Sequence, residues 1–294
     1  AAGQEGCTEG LGRAGGGLLP VIWLLPALAA AKGGLSFWLA RKQFNDDAVP
    51  IARDLFPAGA PRRVMAIWAH PDDEITSAGA LAAMAQAGAE LTLVYLTAGE
   101  AAKDTGHTRE ALARVRRAEA QAAGEHLGAA HVEVLDFPDG GLAASDHVAA
   151  RAAIAGLIAR FEPSVVIAFD EKVGFYGHPD HVQAGRWVRE VVEAGATSVR
   201  RLYQATLPQP MIALALKLVS AFRDNYPAAR EDGLPAPTVA VNIVAQSKRK
   251  RRLLDVHASQ AKVIADVQPY ADRAPHWLYY RLFDREYFAL AVDR

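Results

Sequence analysis

The chain has 294 residues, 51% of them apolar, a formal net charge of −1 and a single cysteine, Cys7. Such a composition suits one large domain with appendages. It excludes an intrachain disulfide, and it lacks the basic excess of a nucleic-acid binder.

Residues 1–13 are rich in glycine and small side chains and read as a disordered tail. Residues 14–43 form a hydrophobic segment with apolar stretches at Leu18–Pro26 and Leu35–Ala40. This segment reads as a membrane anchor. Lys32, Arg41 and Lys42 lie on its C-terminal side, which places the main domain in the cytoplasm. Two alternatives stand beside that reading: a secretory signal cleaved at the Ala27–Leu28–Ala29 stretch, so that the domain is exported, and a hydrophobic arm packed on the domain. Residues 44–61, with several prolines and Gly59, read as a linker, and 62–294 as the domain itself.

Within the domain, strand and helix patterns alternate. Strands are expected at Val64–Ala69, Leu91–Leu96, Val132–Leu135 and Ser164–Phe169. Between and after them come helices at Ser77–Ala87, Thr108–Leu127 (stopped by Gly128), Asp146–Phe161 (capped by Asp146) and Asp180–Ala194 (ended by Gly195). The alternation predicts an α/β fold, a mostly parallel sheet covered by helices on both faces. Ligands of such sheets bind at the carboxyl ends of the strands. Farther on the pattern weakens: a helix is expected at Met211–Phe222, a strand at Val239–Val244 and a helix at Lys248–Ala265, with an aromatic-rich end, Trp277–Val292, packing back on the domain. The basic run Lys248–Arg252 reads as a solvated helix face or, beside an anchor, as a contact for anionic headgroups.

Two clusters stand at expected strand ends. The first is Ala69-His70-Pro71-Asp72-Asp73-Glu74 and the second Tyr176-Gly177-His178-Pro179-Asp180-His181. With one cysteine near the terminus, a metal here is held by imidazoles and carboxylates. His70 and His181 are candidate neutral ligands and Asp73 the anionic one, a set that suits catalytic Zn²⁺ with an open position and also Fe²⁺. Asp72, next to Asp73, faces elsewhere and is placed to act as a general base. If a helix starts at Pro179, a favoured first position for proline, His178 and His181 face one site. Tyr176 offers a hydroxyl to a developing oxyanion.

These two clusters, with Val256-His257-Ala258-Ser259-Gln260 later in the chain, resemble the LmbE-like/PIG-L family of zinc-dependent N-acetylglucosaminide deacetylases. The resemblance implies a Rossmann-like fold and removal of the acetyl group from a small-molecule or lipid-linked amino sugar. It implies zinc ligation by His70, Asp73 and His181, with Asp72 as the base. His178 is then a protonated partner that stabilises charge or donates to the amine, Tyr176 polarises the carbonyl, and Asp180 orients a histidine. Arg117 and Asp139 lie in stretches similar to the family's sugar-contacting regions, and Glu100, after a strand end, is a third candidate lining residue. The competing readings are a metal-dependent sugar-binding module without turnover, for which Asp72 has no use, and a hydrolase of another acyl amide. Residues 205–237 match no pattern and are expected to hold a lid or the specificity for the rest of the substrate.

Overall fold

The computed structural model describes residues 19–103, 105–195 and 198–294. Helix α1 (Leu19–Phe44) leads into a short strand β1 (Ile51–Ala52), and contacts divide the chain into two units at Arg41/Lys42. The expected tail 1–13 lies outside the described residues. Among the described residues, no helix is long and apolar enough to cross a membrane. This overturns the expected anchor, and with it the membrane association and the cytoplasmic orientation read from its flanking charges. Where its side chains are described, α1 is interrupted by Lys32, Gly33, Gly34, Arg41 and Lys42. The start of the expected segment, residues 14–18, lies outside the described residues.

The domain continues as β2 (Arg63–Trp68), α2 (Ala78–Gln86), β3 (Glu90–Tyr95), α3 (Arg109–Leu127) and β4 (His131–Val134). Next come α4 (His147–Phe161), β5 (Val165–Ala168), a one-turn helix α5 (Gly174–Gly177) and α6 (Pro179–Glu193). The last part holds β6 (Arg201–Thr206), α7 (Gln209–Leu218), α8 (Ser220–Asn225), β7 (Val239–Asn242), α9 (Ser247–Val256), α10 (Ala261–Val267), α11 (His276–Leu282) and β8 (Arg285–Asp293). One open eight-stranded sheet results, in the order β1-β7-β8-β6-β5-β2-β3-β4. All its pairings are parallel except those of β8 with β6 and β7.

Strand β2 shows why these residues fold this way. Its run Val64–Trp68 is wholly buried, as a strand covered on both faces must be. Val64, Ala66 and Trp68 enter one core with Leu81 and Met84 of α2, Ala120 and Ala123 of α3, and Leu253 of α9. Met65, Ile67 and Ala69 enter a second core with Ile154 and Ile158 of α4 and Trp187 and Val188 of α6. Burying a side chain of this size contributes roughly 1.5–3 kcal/mol. From β2 the chain winds outward through β3 to β4, then returns to place β5 on the other side of β2. The winding direction therefore reverses between β2 and β5, where crevices open at the carboxyl ends of such sheets.

The departures from expectation have physical causes. The stretch read as a linker contributes β1, paired with β7, and buries Leu55. The aromatic-rich end is a helix followed by a nine-residue antiparallel strand, β8, inserted between β6 and β7. The expected helix Met211–Phe222 breaks at Val219, because Asp266 accepts hydrogen bonds from the Ser220 and Ala221 N–H groups and starts a new helix there. The basic run is not simply a solvated face: Lys250 is 5% exposed and bonded to Glu286, whose carboxylate also accepts the Gly79 and Ala80 N–H groups at the start of α2.

Candidate active site

The first cluster leaves the carboxyl end of β2 and turns at once into a single 3₁₀ turn, Asp73–Thr76. Asp72, just before it, has φ = +102°, a left-handed conformation that costs a non-glycine residue about 1–3 kcal/mol. The turn folds the Asp73 carboxylate back, so that its Oδ2 accepts the His70 N–H at 2.8 Å. Asp73 and His70 are each 7% exposed.

The second cluster leaves the carboxyl end of β5. Asp170, 1% exposed, accepts the N–H groups of Lys172, Val173 and Phe175 and curls the chain into a tight loop. Gly174, at φ = +59°, has no room for a side chain: a Cβ there would lie 2.5 Å from the Val182 nitrogen. Phe175 is itself left-handed at φ = +72°. Helix α6 then starts with Pro179 in its first turn and with His178 as its cap, the His178 Nδ1 accepting the Asp180 N–H at 3.2 Å. One turn along, the His181 ring stacks on Phe169 at 4.4 Å, and its Nδ1 donates to the Gly174 carbonyl at 3.1 Å.

That last bond leaves the His181 Nε2 with a free lone pair. It faces the His70 Nδ1 at 3.3 Å and Asp73 Oδ1 at 3.1 Å, and the His70 Nδ1 lies 3.6 Å from Asp73 Oδ2. The other nitrogen of His70, Nε2, meets Asp139 Oδ1 at 3.0 Å and Asp180 Oδ2 at 3.4 Å. The two imidazole nitrogens and the Asp73 carboxylate, whose Oδ1 faces His181 and Oδ2 faces His70, are spaced close to the edges, about 3.3 Å, of a tetrahedron with metal–nitrogen bonds of about 2.0–2.1 Å. Two imidazole nitrogens and a carboxylate crowded together also demand positive charge between them. The pKa values report the same demand. Burial works against a charged His70, but Asp139, Asp180 and Asp73 outweigh it and raise the pKa well above the ordinary value. Burial likewise opposes ionisation of Asp73, yet His181 and His70 hold its pKa far below the usual carboxylate range. The residues present therefore fit a divalent cation.

Around this centre stand the other expected groups. Burial, opposed by Arg116 and reinforced by Asp73, lifts the Asp72 carboxyl to about 6. The His178 ring lies 4.6 Å from that of His181. Burial, then repulsion from His181 and His70, lowers its pKa to about 4. The ring is thus neutral at rest rather than protonated. With Nδ1 occupied as an acceptor, its Nε2 carries the hydrogen and is a donor. Tyr176 stands edge-on to His181 at 5.1 Å, and burial raises its pKa, so it keeps its O–H. Asp180 holds His70 and also accepts the Gly140 and Leu142 N–H groups, which ties the loop after β4 to the site.

The three expected sugar contacts fare differently. Arg117 faces away from the site: it bonds the Val134 and Leu135 carbonyls and the exposed Asp136. Its neighbour Arg116, not singled out by the motif, reaches the site instead. Arg116 is 3% exposed, donates to the carbonyls of Pro71 and Gly99 and pairs with Asp72 Oδ2 at 3.1 Å. Gly99 makes room for it, since a Cβ there would lie 2.4 Å from the guanidinium. Helical periodicity carried the signal. Arg116 sits on the buried stripe Leu112–Arg116–Ala120–Ala123–Leu127 of α3, and Arg117 lies off it. Asp139 is in the site, bonded to His70, and Glu100 supports it by accepting the Asp139 N–H at 3.0 Å. Residues 205–237 abut the site: Phe222 of α8 packs on Phe175 and Tyr176 at 5.9 and 6.1 Å.

Comparison with known proteins places the chain in a family. Residues 65–192, which span both clusters, match the family model described as PIG-L, GlcNAc-PI de-N-acetylase. The chain is 32% identical over 246 residues to a 1D-myo-inositol 2-acetamido-2-deoxy-alpha-D-glucopyranoside deacetylase of Nakamurella multipartita, covering 71% of this chain and 83% of that one. Among solved structures, the N,N'-diacetylchitobiose deacetylase of Pyrococcus horikoshii has a TM-score of 0.56 at 20% identity, covering 78% of this chain and 83% of that one. A 4-carboxy-2-hydroxymuconate hydratase of Pseudomonas putida has a TM-score of 0.55 at 19% identity, covering 79% and 97%. The two solved structures share the fold alone, and their different names illustrate that a fold does not decide a reaction. The sequence match does what the fold cannot, and the chain belongs to the PIG-L (LmbE-like) deacetylase family.

Proposed function

We propose that the domain, residues 62–294, is a Rossmann-like, metal-dependent N-deacetylase that hydrolyses the acetamide of an N-acetylglucosamine conjugate. The observation that carries this reading is the convergence of His70 Nδ1, His181 Nε2 and the Asp73 carboxylate within 3.1–3.6 Å, with a second carboxylate, Asp72, next to Asp73 in the chain and within reach of its charge. His70, Asp73 and His181 hold the metal, zinc by preference for this donor set and ferrous iron as the alternative. Such an ion, when bound, supplies a Lewis acid and a water that loses its proton near neutral pH.

The chain's own residues do the rest. Asp72 takes the proton from the attacking water, for which a pKa near 6 keeps it ionised yet basic at neutral pH. The Tyr176 O–H donates to the oxygen that becomes negative as the carbonyl turns tetrahedral. Asp72 hands the proton it took from water to the departing amine nitrogen, the neutral His178 donating its Nε2–H as a hydrogen bond to the charge of the tetrahedral state, so that acetate and a free amino sugar leave. Asp139 and Asp180 hold His70 in the tautomer that presents Nδ1 to the metal. Arg116 holds Asp72 in place.

The substrate class is a glycoside of N-acetylglucosamine, as in the name of the Nakamurella multipartita relative. The test is acetate release by the zinc-loaded protein from N-acetylglucosaminyl-inositol, diacetylchitobiose and N-acetylglucosaminyl-phosphatidylinositol, with His181→Ala as control. Release from one of these, absent in the control together with bound metal, is the expected result. Metal at one ion per chain with no acetate from any substrate would sink the assignment.

A further inference from the structure

The His257-Ala258-Ser259-Gln260 stretch has no part in the mechanism above, yet it departs sharply from its local preference. The sequence reads as one helix over Lys248–Ala265. The chain instead ends α9 at Val256, takes a non-helical residue at His257 and makes a 3₁₀ turn, Ala258–Gln260, before α10. Two carboxylates from distant parts of the chain hold that turn. Glu74 Oε1 lies 2.5 Å from the His257 Nε2, and both residues are fully buried, at 0% exposure. Glu119 accepts two hydrogen bonds from Ser259, from its N–H at 2.8 Å and from its hydroxyl at 2.7 Å.

One of these carboxylates leads to Asp72, and the other anchors the turn to α3. The second oxygen of Glu74, Oε2, accepts the Asp72 N–H at 3.0 Å, the peptide that must be held for Asp72 to keep φ = +102°. Glu119 ties the turn to α3, the same helix whose Arg116 donates to the Pro71 carbonyl and pairs with the Asp72 carboxylate. The chain of bonds through Glu74 therefore ends on the backbone of Asp72, while Glu119 fixes the turn to the helix that carries Arg116. A left-handed aspartate persists only where its surroundings over-determine it.

We infer that the His257–Gln260 turn is a positioning clamp for Asp72, acting on its backbone through Glu74, with Glu119 anchoring the turn to α3. His257 and Ser259 are positioning residues, since the hydrogen bonds of both end on buried carboxylates. The inference rests on Asp72 being the base.

The experiment compares His257→Ala, His257→Gln and Ser259→Ala in the zinc-loaded full chain, with metal content, kcat, KM and a crystal structure of each variant. His257→Ala is expected to keep its metal and its KM while kcat falls by about 100-fold, the cost of an ångström-scale misplacement of a reacting group. Its Asp72 is expected to leave the left-handed region. His257→Gln, whose amide can still donate to Glu74, is expected to regain most of kcat, and Ser259→Ala to lose about 10-fold. Asp72 unchanged at positive φ in His257→Ala would overturn the clamp, as would kcat per bound metal within twofold of the unmodified protein. If His257→Ala does not fold, Ser259→Ala and His257→Gln decide the matter by the same readouts. If the unmodified protein releases no acetate, the deacetylase reading fails, and the clamp stands or falls on the Asp72 conformation alone.

Discussion

The two ends of the same sheet use the same residue types in opposite ways. At the amino ends, Arg63 meets Glu162 at 3.1 Å and Arg201 meets Asp293 at 2.9 Å, with side chains 28–60% exposed. At the carboxyl ends, His70, Asp73, Asp180 and His181 are each at most 7% exposed. Water screens the first set, so each pair contributes little to stability. The second set is desolvated, which costs stability unless every charge is met. Carboxylates and imidazoles gathered there without water in between acquire shifted pKa values and open coordination, which is what chemistry requires. The difference teaches that in this fold charge at one end solvates the molecule and charge at the other equips it.

The largest expected effect breaks the comparison at its most strained residue. Asp72→Asn removes the base and leaves the ligands, so kcat should fall by roughly 10²–10⁴-fold with metal content unchanged. Equal loss of metal in Asp72→Asn and in His181→Ala would dissolve the separation of base from ligand. The pH profile sharpens the same point. Asp72 must be ionised to accept a proton, so activity is lost as pH falls through its pKa. That value is about 6 in the metal-free protein, and a bound cation lowers it by favouring the charged form. The acid limb of kcat/KM should therefore lie at or below pH 6, and a limb well above 6 would point to a different base.

A smaller effect separates two neighbours on one helix. Arg116→Ala should lower kcat/KM by about 10-fold or more, since it frees Asp72 and leaves two carbonyls unpaired. Arg117→Ala should change it by less than about twofold and act, if at all, on stability. Comparable kinetic losses in both would restore Arg117 as a substrate contact. Smallest of all, Asp293→Asn at the amino end should shift unfolding free energy by less than about 1 kcal/mol, measured by urea denaturation, with kcat unchanged.

Much of the site was legible because its residues sit next to one another in two short runs at strand ends. His70, Asp72 and Asp73 follow β2 directly, His178, Asp180 and His181 come one tight loop after β5, and those strands are adjacent in the sheet. Asp146 and Gly128 were readable as helix ends because caps depend on local chemistry alone. The motif failed by one position at Arg116, where it marked Arg117 and helical periodicity favoured its neighbour. It also missed the pairings of Glu74 with His257 and of Glu119 with Ser259, which join residues 183 and 140 positions apart.

The sequence by itself determined the alternation of strands and helices, the candidate ligands and the family, because each is a pattern of neighbouring residues. Only the tertiary structure decided which arginine enters the site, that β8 inserts antiparallel between β6 and β7, and that the helix expected over Lys248–Ala265 breaks at His257. The physical reason is the same in each case. Local propensity differs between alternatives by about 1 kcal/mol or less per residue. A buried carboxylate left without its partner costs more than that, so the distant partner prevails.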